Sequence, residues 1–194
     1  GGNGNGGNNN NASGSSSNLN GLLMPATGFP QGQITKLSEQ PANLAYAATD
    51  IWLEIPKLGV KMSIMGVPQT KTGWDVSWLG KNAGWLNGST FPTWSGNSVL
   101  TGHVWDALNQ PGPFAQLKSL KYGDQVKIHA FGEVYTYAIS ENTLVSPSDT
   151  ASVFKHANKT VITLITCEDY MEKSQTYLSR RMVRAVLISV SKEK

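Results

Sequence analysis

Cysteine, histidine and charge are all scarce in this sequence of 194 residues, and each shortage narrows the reading. A single cysteine, Cys167, leaves no partner for an internal disulfide, so an unpaired thiol in a protein outside the cytoplasm asks for a chemical role. No run of about 18 apolar residues, the length a membrane-crossing helix needs, occurs anywhere. Net charge is only +3, and it arises beyond residue 45, because Lys36 and Glu39 cancel before it. The basic residues are scattered among acids with no basic run, which leaves nucleic-acid binding without support. Gly1–Gly21 is the emptiest stretch, with seven Gly, eight Asn, four Ser and only Ala12 and Leu19 besides. Such a segment has no apolar face whose burial offsets the entropy of ordering, so it reads as a flexible tether. A leader over residues 1–45 and one domain over 46–194 is the organisation expected, with a membrane anchor expected upstream of Gly1.

What is present beyond the leader is mainly strand. "DIWLEIPKLGV" (Asp50–Val60) gives two extended runs around Pro56 and Gly59, and "NSVLTGHV" (Asn97–Val104) gives another. "DQVKIHAF" and "EVYTYAIS" flank Gly132 as a hairpin, "TVITLITC" (Thr160–Cys167) suits a buried strand, and "RMVRAVLISV" closes the series. Helical signal is confined to a short helix within Gly112–Asp124. Many short strands with turn signals predict a mainly β domain, a barrel or a sandwich. Two stretches read as long loops, and loops of that length are commonly functional. One is Gly73–Gly96, with four of the six tryptophans (Trp74, Trp78, Trp85, Trp94); the other is the polar stretch Glu141–Lys159.

Cys167 stands where the most apolar strand gives way to Glu168, Asp169 and Tyr170. A thiol at such a strand end becomes partly exposed and turns nucleophilic when a cation lowers its pKa. His103 closes another apolar strand in "VLTGHVW", behind Gly102, whereas His129 lies in an alternating strand and His156 in a polar loop. An arginine would complete the set, because attack of a thiol on a carbonyl makes an oxyanion and a guanidinium offers several permanent donors. Arg180 and Arg181 both open the last strand, with Arg184 in its interior. Strand alternation puts Arg180, Met182 and Arg184 on one face and Arg181 and Val183 on the other.

These residues resemble the sortases, the cysteine transpeptidases of the Gram-positive-type cell surface. The likeness rests on "TLITC" followed by "EDY", on "TGH" upstream and on an Arg thirteen residues after the Cys, and it spans about Asp50 to Val190. Thr101 stands where Ala is common in the family; the Cys motif resembles the class A type, with the class left open. The resemblance implies a closed β-barrel of about eight strands with short helices in its loops. It implies Cys167 as nucleophile, His103 as general acid/base and Arg180 as the oxyanion or positioning residue, with Arg181 as the alternative. It further implies a groove for an L-P-x-T-G signal, in which Val145, Pro147 and Val153 contact the Leu-Pro part and Thr166 lines the base. The partners implied are proteins bearing such a C-terminal signal and an amine acceptor, a cell-wall precursor or a pilin lysine, at the outer face of the membrane. No cofactor is expected. Some relatives bind calcium near this loop, but Glu141 and Asp149 are too few for an ion that takes about 6–8 oxygen ligands. Two other readings are a cysteine protease that mainly hydrolyses and a Trp-rich sugar-binding β module.

The leader contains one more signal. "MPATG" (Met24, Pro25, Ala26, Thr27, Gly28) differs from L-P-x-T-G only by Met for Leu, a swap nearly conserving volume. Pro25, Gly28, Pro30 and Gly32 are also ordinary linker punctuation. As a substrate mimic, the segment would rest in the groove of its own domain or a neighbour's, or be cut between Thr27 and Gly28. Linker, inhibitor and substrate all remain open at this point.

Overall fold

The computed structural model describes residue 19 and residues 21–40 and 51–194. Most of the expected tether, residues 1–18, therefore lies outside the described residues. Among the described residues eight strands form: β1 (Trp52–Ile55), β2 (Val60–Val67), β3 (Ala83–Leu86), β4 (Gly96–Thr101), β5 (Gln125–Ala130), β6 (Glu133–Val145), β7 (Thr160–Met171) and β8 (Thr176–Lys192). They close into a barrel in the order β1-β2-β3-β4-β7-β8-β6-β5, with β5 pairing back onto β1. Two neighbouring pairs, β2 with β3 and β4 with β7, are parallel, and the rest are antiparallel. Closure gives every described strand a neighbour on both sides, which is how a mainly β domain avoids edge-to-edge association.

Side chains alternate between the two faces of a strand, and the barrel uses both. The inner face of β7 sends Ile162 and Leu164 to meet Val183 and Ala185 of β8, Leu53 and Ile55 of β1 and Phe114 in the main core. The outer face carries a second apolar cluster, in which Ile165 of β7, Met182 of β8 and Val99 of β4 pack with Trp74, Trp78, Leu79 and Val153. A barrel wall that is apolar on both faces needs a cover, and loops and the leader supply it.

Several expectations change. β7 does not end at Cys167 but runs on to Met171, and β8 begins at Thr176, so Cys167 and Arg180 face each other within a ladder rather than at strand ends. β6 continues past Ser140 to Val145, because a register shift between Ile139 and Glu141 lets it keep pairing with β8. The polar stretch is therefore shorter than read, and its one helical turn, α1 (Thr150–Val153), is capped by the Asp149 side chain accepting from the Ser152 N–H. The helix expected in Gly112–Asp124 reduces to a 3₁₀ turn over Leu117–Ser119. Phe114, Leu117 and Leu120 recur every three residues and all point into the core, which suits that tighter turn. Within the Trp-rich stretch, "AGWL" forms β3, buried on both faces and so without alternation to betray it.

Candidate active site

The groove floor follows from parity. Ile165 and Cys167 share the outer face of β7; Arg180 and Met182 share the outer face of β8; and Cys167 pairs directly with Arg180 in the ladder. On β4, Val99 and Thr101 lie on the same side, and the Thr101 hydroxyl donates to the Ile165 carbonyl. His103 follows two residues on, in a close-packed turn: a Cβ at Gly102 would lie 2.9 Å from the Phe114 ring.

The His103 ring is 1% exposed. Its Nε2 lies 3.0 Å from the Val76 carbonyl, which can only accept, so Nε2 carries a hydrogen. Nδ1 is buried without a hydrogen-bond partner. Burial lowers the His103 pKa, while the Val76 and Thr27 carbonyls and the Asp106 charge oppose that shift. Burial pushes the Cys167 thiol up, against the Arg180 guanidinium and the hydrogen bonds of Thr27. Together these shifts favour a neutral thiol–imidazole pair at rest. Arg180, 6% exposed, donates from Nη1 to the Ser179 carbonyl at 3.1 Å and from Nη2 to the Met24 carbonyl at 3.4 Å. Arg181 turns the other way, binding Glu168 through Nε at 2.7 Å and Nη2 at 3.0 Å, and Asn142 at 3.2 Å.

Met24–Gly28 lies in this groove. Met24 is buried in the outer apolar cluster with Val67, Trp74 and Val153, against Val145 and Phe154 at its margin. Its N–H donates to the Pro147 carbonyl at 2.8 Å. Pro25 is buried and Ala26 points to solvent. Thr27 is held on three sides. Its N–H donates to Cys167 Sγ at 3.1 Å, and its hydroxyl accepts from the Cys167 N–H at 3.0 Å and donates to Thr166 Oγ1 at 3.4 Å. Its carbonyl accepts from the Val104 N–H at 2.7 Å. Gly28 passes so close to the wall that a Cβ would meet the Tyr177 ring at 2.6 Å and Val104 Cγ1 at 2.9 Å.

The chain beyond the glycine is held as firmly. Phe29 packs on the His103 ring with centroids 4.8 Å apart, donates to the Trp105 carbonyl at 3.0 Å and accepts from the Tyr177 hydroxyl at 3.0 Å. Burial raises the Tyr177 pKa to about 12, which keeps that hydroxyl a donor. Gly32 and Thr35 donate to Asn109 Oδ1 and the Ala107 carbonyl, each at 2.8 Å. Over these residues the leader is a strap bound to the domain, because Met24, Thr27 and Phe29 find buried partners that a free linker would lack.

A family model for the Sortase domain matches residues 53–188. The chain belongs to the sortase family. It is 30% identical over 116 residues to Sortase D of Bacillus subtilis (strain 168), covering 59% of this chain and 52% of that protein, so it spans about half the length of that curated relative. Among solved structures it is similar to sortase C-1 from Actinomyces oris (TM-score 0.59, 28% identity, 72% of this chain and 73% of that one). It is also similar to a Clostridium perfringens Sortase D5 transpeptidase (TM-score 0.57, 27% identity, 72% and 78%). The barrel and the absence of all but short helical turns among the described residues match the sortase fold.

Sequence reasoning brought Cys167, His103, Arg180, Val145, Pro147, Val153 and Thr166 to one groove, and the sortase barrel gathers them there. It expected a partly exposed thiol, whereas Cys167 is 1% exposed beneath the strap. It missed Val104, Val76 and Tyr177. The first two act through backbone groups that carry no side-chain signal, and Tyr177 reaches Gly28 from across a ladder. Of the acids near the loop, Glu141 pairs with Arg184 at 3.3 Å and Asp149 caps α1. Among the described residues no group of three His, Cys, Asp or Glu could hold a metal ion, and none of their helices is long and apolar enough to cross a membrane. Trp74, Trp78 and Trp85 are buried, and of that group Trp94 is exposed, beside the Phe91 ring.

Proposed function

We propose that this sortase is a cysteine transpeptidase that cuts an LPXTG-like signal between Thr and Gly and passes the acyl group to an amine. The observation that carries the reading is the fit of Met24–Gly28 to the groove, position by position. The first residue fills an apolar pocket, the third faces solvent, the Thr hydroxyl both accepts and donates, and the Gly meets a wall with no room for a Cβ.

The geometry supports a role for each residue. Cys167 loses its proton to His103 Nδ1, the ring nitrogen left free by the Val76 contact, and the thiolate attacks the Thr carbonyl carbon. The Val104 N–H, already on that carbonyl oxygen, stabilises the developing oxyanion, a type of contact whose loss costs roughly 3–4 kcal/mol. Arg180 holds the substrate backbone three peptide bonds upstream of the reacting one, through the first residue's carbonyl, and its charge favours the thiolate. His103 then protonates the Gly nitrogen as it leaves. An incoming amine gives its proton to His103 and takes the acyl group from sulfur. The substrates are proteins carrying the signal at their C-terminus, the acceptor is a cell-wall or pilin amine, and the site of action is the outer face of the membrane.

Product mapping by mass spectrometry with L-P-A-T-G and M-P-A-T-G peptides and triglycine tests this. Cutting between Thr and Gly, with Thr joined to triglycine and nothing formed by Cys167→Ala, is the expected result. Cleavage that survives in Cys167→Ala overturns it.

A further inference from the structure

The strap is more than a cover for the groove. Thr27 lies against the thiol of its own domain, its nitrogen 3.1 Å from Cys167 Sγ, and its carbonyl oxygen, the acyl oxygen of the Thr27–Gly28 bond, is 2.7 Å from the Val104 nitrogen and acts on the His103 ring. Phe29, the next residue, packs on the His103 ring. The Cβ-free position is also where a signal needs its glycine. Gly28 has no positive φ, so its lack of a side chain answers to Tyr177 and Val104 rather than to backbone conformation. A linker that merely crossed the domain would have no use for these contacts.

We infer that this chain is its own substrate: Cys167 cuts the Thr27–Gly28 bond in cis, and the polypeptide ending at Thr27 is the cargo handed to an external amine. The inference rests on the proposed transpeptidase reading and extends it to a substrate covalently joined to its enzyme. The Cys167 sulfur bonds to the Thr27 carbonyl carbon, the bond from that carbon to the Gly28 nitrogen breaks, and the thiol proton passes through His103 to Gly28, which becomes a free amine. A primary amine then attacks the thioester, its nitrogen bonds to the Thr27 carbonyl carbon, and the proton it sheds returns to the Cys167 sulfur through His103.

The downstream contacts set what is seen. After the cut, the Gly28 amine stays beside the thioester, because Phe29, Gly32 and Thr35 remain bonded to Trp105, Tyr177, Asn109 and Ala107. Held at the millimolar or higher effective concentration of a short tether, it re-forms the peptide bond faster than dilute amines compete. The thioester form also has the mass of the intact chain. The protein therefore stays one chain in plain buffer and divides only when a strong or concentrated amine is supplied.

The experiment incubates the full 194-residue chain with and without hydroxylamine or triglycine, follows intact mass, and in parallel offers a labelled M-P-A-T-G peptide to the full-length Gly28→Ala chain. Expected are a fragment beginning at Gly28, a Gly1–Thr27 fragment carrying the amine, a rate independent of protein concentration, and neither fragment from Cys167→Ala. If the wild-type chain stays whole in amine while Gly28→Ala cuts the added peptide, self-cleavage is overturned and the transpeptidase reading stands, with the strap acting only as a plug. If neither the chain nor the peptide is cut, both readings fall. A rate that rises with protein concentration overturns cleavage in cis.

Discussion

The two buried histidines of this barrel are built from similar parts to opposite ends. At His129, Nδ1 lies 2.8 Å from a Glu193 carboxylate oxygen, Nε2 lies 3.0 Å from Glu54, and the ring stacks on Trp52 with centroids 3.4 Å apart. Every polar atom of that ring has a partner, so it ties β1, β5 and the C-terminal end together. At His103 one nitrogen is fixed by a backbone carbonyl and the other is left without a partner in a buried place. An unsatisfied buried nitrogen costs stability, of the order of 1–3 kcal/mol, and such costs collect where a group must take and give a proton. The difference supports a structural part for His129 and the proposed acid/base part for His103, which composition and spacing could only rank.

Breaking the comparison at its functional end has the largest expected effect. His103→Ala lowers kcat/KM for signal cutting by roughly 10²–10⁴-fold, the usual yield of a positioned acid/base. His129→Gln leaves kcat/KM at the wild-type level. Peptide assays on the two variants, in a Gly28→Ala background that opens the groove, check this.

The next effect concerns the strap. Thr27→Val removes the hydroxyl that accepts from the Cys167 N–H and donates to Thr166, leaving a buried donor unpaired at a cost of about 1–3 kcal/mol. Docking weakens roughly 5- to 150-fold by the same arithmetic, and Cys167 reacts correspondingly faster with a thiol reagent. An unchanged reaction rate would mean that the Thr contacts do not hold the strap.

At the structural end the effect is smaller. His129→Gln gives up at least one carboxylate contact and the Trp52 stack, and lowers unfolding free energy by about 1–3 kcal/mol, read from denaturant midpoints.

The smallest effect is in pH. Burial is the main cause of the raised Cys167 pKa, so releasing the strap lowers it. Iodoacetamide reactivity against pH, compared in the wild-type and Gly28→Ala chains, moves its midpoint down in the variant. Since the His103 pKa is lowered and that of Cys167 raised, cutting follows a bell with its limbs at those two values.

Much of the site was legible because it is written in side chains and parity. A lone Cys, a strand-end His and period-two alternation around Arg180 point to one face, and the ladder pairing of Cys167 with Arg180 agrees. Arg181, bonded to Glu168 and Asn142 on the other face, drops out on the same parity. Alternation could not reveal β3, which is buried on both faces, or the continuation of β6, whose register shift breaks the period. The Val104 N–H and the Val76 carbonyl belong to the backbone, so no residue type announces them. The strap was visible as a motif, but its docking depends on Met24 filling a pocket made by Val67, Trp74 and Val153, residues far apart in the chain.

Direct mapping of the scissile bond tests the central claim most closely. The Gly28→Ala chain is incubated with an M-P-A-T-G peptide and triglycine, and the products are identified by mass spectrometry. The account predicts a product in which Thr is joined to triglycine, a released fragment beginning with Gly, and neither from the same chain carrying Cys167→Ala. Cleavage at any other bond, or equal cleavage without Cys167, would contradict it.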